Sequence, residues 1–241
     1  MSSYDERPWL RRYPDGIGPT LARRHDTMVS VWDAAVAARA DEACMHAFDT
    51  TLTFRDVDDA ADALAAALQD GGLRRGDRVG IYLQNDPQWP IVLIATWKAG
   101  GIAVALNPML KARELAYHLK DSGATVLVCL EALYDEVVRD VLPRVDVARV
   151  ITTHPADWLD GPMPALVRDQ VGEKAESQAT EDLRGLVERY AGQSHQRVEV
   201  AAPDVAILTY TSGTTGPPKG AMNTHDNMSH NAQLLAEWFT L

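Results

Sequence analysis

The chain has 241 residues, 46% of them apolar and 24% charged, which is enough to bury a sizeable core as one large domain or two small ones. A formal net charge of −11 with no basic run to offset it excludes an extended nucleic-acid footprint, so a polyanionic ligand has to be met locally. Residues 1–20 lack the apolar core of a signal peptide, the stretch from Ile91 to Trp97 is too short to span a bilayer, and Cys44 and Cys129 sit apart among apolar neighbours, which together predict a cytoplasmic protein with reduced core thiols.

Taken in order, residues 1–28 have no clean periodicity, and their Arg, Pro and Gly content predicts an extended arm. Ser30 with Asp33 three residues on reads as a helix start, with Val31, Ala34, Ala35 and Ala38 on one face. A short strand at 43–48 and a hairpin at 49–54 follow. Thr53 then opens an amphipathic helix in which Val57, Ala60, Ala61, Leu64 and Leu68 recur at helical spacing, and Gly71 and Gly72 end it. From there strands (79–83, 102–106, 125–130, 149–152) alternate with helices (Asp86 and Pro87 to Lys98, 113–120, 133–141). That alternation predicts an α/β fold: a doubly wound, largely parallel sheet with helices on both faces, spanning 29–153. Residues 154–203 read as an irregular insertion or linker carrying one helix, on which Leu183, Leu186, Val187 and Tyr190 share a face. Residues 204–241 are predicted as a strand (205–210), a glycine-rich loop, a short returning strand (221–223) and a helix from about 226 to 239.

The loop is the most informative stretch. Thr209 to Thr224 crowds three glycines, Gly213, Gly216 and Gly220, among the hydroxyls of Thr209, Thr211, Ser212, Thr214 and Thr215 and the single cation Lys219. Glycine permits positive φ and close backbone approach to an anion, hydroxyls add donors, and lysine adds full charge, so the composition is that of a phosphate-wrapping loop; the competing reading is a glycine-rich hairpin. A Walker loop would place Gly before and Ser or Thr after the lysine, whereas Lys219 stands between Pro218 and Gly220.

Ile207 to Asn227, ILTYTSGTTGPPKGAMNTHDN, resembles the signature of the AMP-forming acyl-activating enzymes, which include acyl-CoA synthetases, luciferases and peptide-synthetase adenylation domains. Arg7-Pro8-Trp9-Leu10, Gly76 to Val79, Asn107-Pro108, Arg113 to Leu115 and Lys120 to Ala124 extend the likeness over nearly the whole chain, toward the long-chain fatty acid CoA ligases. The resemblance implies ATP-driven activation of a small-molecule carboxylic acid to an acyl-adenylate, transfer to CoA, and a requirement for Mg²⁺. It implies that Thr211, Ser212, Gly213, Thr214, Thr215, Gly216 and Lys219 hold the β- and γ-phosphates, with Lys219 a clamp rather than the family's adenylation lysine. That lysine, the Mg²⁺-binding glutamate, the adenine-stacking aromatic and the ribose aspartate belong in the family to segments after the loop, so no catalytic residue and no metal ligand is assigned here. The expectation is therefore the incomplete N-terminal part of such a ligase, inactive alone, from a truncated or naturally short form. It is expected to self-associate, with peripheral membrane contact for a lipid substrate. The alternatives are another adenylate-forming enzyme, such as an aryl-CoA ligase or adenylation domain, or a non-catalytic nucleotide-binding module.

Other residues carry less. His225 and His230 are five apart, which does not put two imidazoles on one helix face for zinc, and His225 is expected to fix the start of the last helix. Gly76-Asp77 reads as a turn leading into a strand, and the tryptophans read as core rather than substrate wall.

Overall fold

The computed structural model describes residues 4–20, 22–174, 180–211 and 216–239, without the side chains of Leu166 and Gln170. After a 3-10 turn (Pro8–Arg12) come α1 (Met28–Arg39) and an antiparallel hairpin of β1 (Ala43–Ala47) and β2 (Thr50–Thr53). The α/β region then runs α2 (Phe54–Asp70), β3 (Arg78–Tyr82), α3 (Gln88–Lys98), β4 (Ile102–Ala105), α4 (Ala112–Ser122) and β5 (Val126–Leu130). Next are α5 (Glu131–Leu133), a π turn (Tyr134–Val138), α6 (Arg139–Val141), a 3-10 turn (Leu142–Arg144) and β6 (Arg149–Thr153). The chain closes with α7 (Ala165–Val171), β7 (Glu181–Asp182), α8 (Leu183–Arg189), β8 (Val205–Tyr210), β9 (Gly220–Thr224) and α9 (His225–Trp238).

The larger sheet has the order β7-β6-β5-β3-β4-β8-β9, parallel throughout except for β9, which runs antiparallel to β8. Because strand side chains alternate, each central strand feeds two cores. Val79, Ile81, Val126 and Val128 join α2, α3 and α8 on one face, while Tyr82, Leu127 and Cys129 join α4 and the 134–141 segment on the other. This is the expected doubly wound α/β arrangement with helices on both faces.

The longest helix shows how local sequence sets an element. Thr53 Oγ1 accepts the Asp56 N–H while the Asp56 carboxylate accepts the Thr53 N–H, and the hydrogen bonds from Thr53 hold that carboxyl below the usual carboxylate range. Val57, Ala60, Ala61, Leu64 and Leu68 are all buried, as their spacing predicted, and the Gly71 N–H ends the helix on the Ala67 carbonyl.

Four local readings are corrected. The N-cap of α1 is Thr27, extended at φ −131, which forms a capping box with Ser30, so the helix starts earlier; Met28, Val29 and Trp32 pack on the core while Ala38 is exposed. The Asp86 carboxylate does not cap α3, because only its backbone carbonyl accepts from Trp89, and burial pushes its pKa up. The helix expected at 133–141 begins at Glu131 and widens into a π turn that points Tyr134, Val137 and Val138 into the core. Residues 154–203 are not simply irregular. They hold α7 and α8 and supply β7, the edge strand beside β6. A bidentate Arg149–Glu181 pair, with Nε to Oε1 2.6 Å and Nη2 to Oε2 3.1 Å, sets this pairing. Leu183 and Leu186 are buried, and Gln69 and Gln196 exchange two hydrogen bonds of 2.8 Å.

Candidate functional site

The glycine-rich loop leaves the sheet at the carboxyl end of β8, beside β4, in the position where open α/β sheets bind ligands. Its neck is closed by backbone: the Thr211 N–H donates to the Lys219 carbonyl at 3.0 Å, and the Lys219 N–H donates back to Thr211 Oγ1 at 3.3 Å. The Lys219 side chain stands exposed above this neck. Thr211 and Gly216 are also exposed, whereas Ser212, Gly213, Thr214 and Thr215 lie outside the described residues.

Two of the glycines act differently from the expectation of positive φ, which neither Gly216 nor Gly220 adopts. A Cβ at Gly220 would come within 3.3 Å of the Tyr210 ring, so glycine there admits the aromatic, and a Cβ at Gly216 would meet no atom of the described residues within 4 Å.

Helix α4 holds the loop from one side. The Tyr210 hydroxyl donates to Asp121 Oδ2 at 2.7 Å, and its ring meets His118 edge-on with centroids 4.1 Å apart. Burial, helped by the Asp121 carboxylate, pushes the Tyr210 pKa well above the ordinary tyrosine value. Tyr117 donates its hydroxyl to the Pro218 carbonyl at 2.8 Å. The helix is itself fixed: the Lys111 N–H bonds Glu114, Leu115 and Leu119 are buried, and Gly123 ends it in the left-handed conformation at φ +62. Arg78 at the start of β3 then takes the Ser122 and Gly123 carbonyls at 2.9 and 2.7 Å. Sequence reasoning missed Tyr117, His118 and Asp121 here. The available signal was that Tyr117 and Asp121 are four residues apart and so share a helix face.

The other flank of the loop is pinned by the start of α9. Thr224 and Asn227 form a capping box that starts the helix. His225 is buried, and its Nδ1 accepts the Met28 N–H at 3.3 Å; burial pulls its pKa down to about 4, with Asp204 opposing. It is a neutral structural acceptor that ties the N-terminal arm to this helix. Further along, Gln233 Oε1 accepts the Arg24 and His25 N–H groups at 2.8 and 3.0 Å.

Among the described residues, no three His, Cys, Asp or Glu side chains converge as a metal site, and no step is assigned to the implied Mg²⁺. A cleft of about 1640 Å³ lies elsewhere. Lys98 and Asp62 line it with parts of 24–33 and 191–200, and no residue of β8, β9 or α4 does. Among the described residues no helix is long and apolar enough to cross a membrane, and Cys44 and Cys129 are free thiols.

Comparison with known proteins bears on the family and the fold. The chain is 32% identical to a long-chain-fatty-acid CoA ligase of Bacillus subtilis over 97% of its own length, and 32% identical to one of Escherichia coli O157:H7 over 95%. It spans 42% of the length of each of these relatives. A long-chain-fatty-acid CoA ligase from Archaeoglobus fulgidus superposes with a TM-score of 0.72 at 27% identity, covering 95% of this chain and 43% of that one. The family described as AMP-binding enzyme matches residues 32–240, and on that match the chain belongs to the AMP-binding enzymes.

Proposed function

We propose that the chain is the phosphate-binding part of a fatty acid CoA ligase, and that the 211–219 loop clamps the β- and γ-phosphates of ATP while a fatty acid carboxylate attacks the α-phosphate. The leaving group is pyrophosphate, and the thiol of CoA then displaces AMP from the acyl-adenylate. One observation carries the reading: an exposed lysine on a hydroxyl-rich loop at the carboxyl end of a parallel strand, its neck closed by the two Thr211–Lys219 bonds. The choice of fatty acid over other acids is supported by the long-chain ligases among the relatives. Both reacting groups are anionic, so the loop acts by position and charge rather than by proton transfer. Ser212, Gly213, Thr214 and Thr215 join Thr211, Gly216 and Lys219 in this proposal. The free thiols are in keeping with a reducing cytoplasm.

ATP–pyrophosphate exchange across a panel of acids, measured on this chain extended to the length of a full ligase, tests the assignment. Exchange that depends on fatty acids is the expected result. Exchange with aryl or amino acids alone would transfer the protein to another adenylate-forming activity, and ATP binding without exchange would mark a nucleotide-binding module.

Self-association is proposed as well. Among the described residues no strand pairs with the outer edge of β9, Met222 on it is 70% exposed, and Leu235 adds exposed apolar surface. Sedimentation velocity at rising concentration is expected to show a growing fraction of dimer or larger species; a single monomer peak throughout would refute it.

A further inference from the structure

We infer that Tyr117 is a positioning residue for the phosphate loop, acting through Pro218 on Lys219. The inference rests on the reading of that loop as a phosphate clamp. The peptide unit joining Pro218 to Lys219 is held at both of its polar atoms. Its carbonyl accepts the Tyr117 hydroxyl at 2.8 Å, and its N–H donates to Thr211 Oγ1 at 3.3 Å. Proline rings fix φ at Pro217 and Pro218, so the soft dihedral immediately before Lys219 is the ψ of Pro218, and that angle orients the carbonyl Tyr117 holds. The direction in which the lysine leaves the backbone is therefore set from α4.

The second contact from the same helix strengthens this assignment. Asp121, one turn beyond Tyr117, anchors Tyr210 immediately before the loop, while Tyr117 anchors Pro218 near its end. One helix face thus fixes both rims of the loop. A rigid platform of this kind keeps the clamp in its binding geometry before any anion arrives, which lowers the ordering cost of binding.

Tyr117→Phe tests it, because the ring stays and only the hydroxyl is lost. Tryptic cleavage after Lys219, followed by mass spectrometry without ligand, is expected to accelerate about 3- to 10-fold, the range for one neutral hydrogen bond. Pyrophosphate affinity, measured by calorimetry on the same protein, is expected to fall by a similar factor. Far-UV circular dichroism and cleavage at the other Lys and Arg sites should not change. Wild-type cleavage after Lys219 would overturn the inference, as would a uniform rise at every tryptic site, which marks a merely structural role. If the wild-type chain binds no pyrophosphate while the local acceleration is present, Tyr117 still positions Lys219, and the phosphate reading of the loop is what fails.

Discussion

Lys219→Ala in a full-length ligase carrying this chain is expected to lower ATP–pyrophosphate exchange by roughly one to two orders of magnitude, since one charge-assisted contact is lost at about 1.5–3 kcal/mol and about 1.4 kcal/mol is tenfold in rate. The neck bonds at Lys219 come from its backbone N–H and carbonyl, so the alanine variant keeps the loop closed and removes only the ammonium group. A clamp that grips phosphates equally before and during reaction contributes uniform binding, so the loss should fall mainly on the KM for pyrophosphate and less on the turnover number. Lys219→Arg keeps the charge and should recover part of the loss. Exchange at the wild-type level in the alanine variant would remove Lys219 from the clamp.

The largest effect on stability is expected at Lys98. This side chain is only 6% exposed at the end of α3, and its ammonium bonds the Asp58 and Asp62 carboxylates of α2, with Asp58 also accepting the Trp32 indole N–H at 2.6 Å. Burial opposes the charge on Lys98, but the hydrogen bonds it donates to Asp58 and Asp62 outweigh it, and its pKa lies above the ordinary lysine value. Lys98→Met keeps the apolar stem and strips the partner from two carboxylates. Asp58 and Asp62 keep some access to water, so the expected loss is about 2–4 kcal/mol, below the top of the range for breaking a buried pair. Urea unfolding should resolve it. Asp62→Asn, at the more exposed end of the network, should cost under about 1 kcal/mol, and equal losses in the two variants would contradict this account.

Much of the fold was legible because the signals were local and redundant. Apolar runs such as Val126 to Leu130 are buried on both faces, Thr53 announces α2, and Gly71 ends it. The parts that were hidden depend on distant partners. Glu181 and Asp182 have no strand character of their own, and they pair with β6 because Arg149 holds Glu181. At α1 two hydroxyl residues compete as cap, and Thr27 is the one whose backbone is extended, which composition does not reveal. The candidate site divides in the same way. Thr211, Gly216 and Lys219 stand out by residue type and spacing within one short stretch. Tyr117 and Asp121 lie about a hundred residues away, on a helix brought to the loop because its preceding strand, β4, pairs with β8. Gly220 was legible as a glycine but not for its cause, which is the neighbouring Tyr210 ring.

The placement of β8 between β4 and β9 constrains how the chain matures during synthesis. Residues 102–105 leave the ribosome roughly 100 residues ahead of their neighbour at 205–210, a lag of about 5–20 s at ordinary elongation rates. Throughout that interval the hydrogen-bonding edge of β4 is an open template for any other extended chain. The segment at 24–28 waits longer still, because its acceptors His225 and Gln233 are made roughly 200 residues after it.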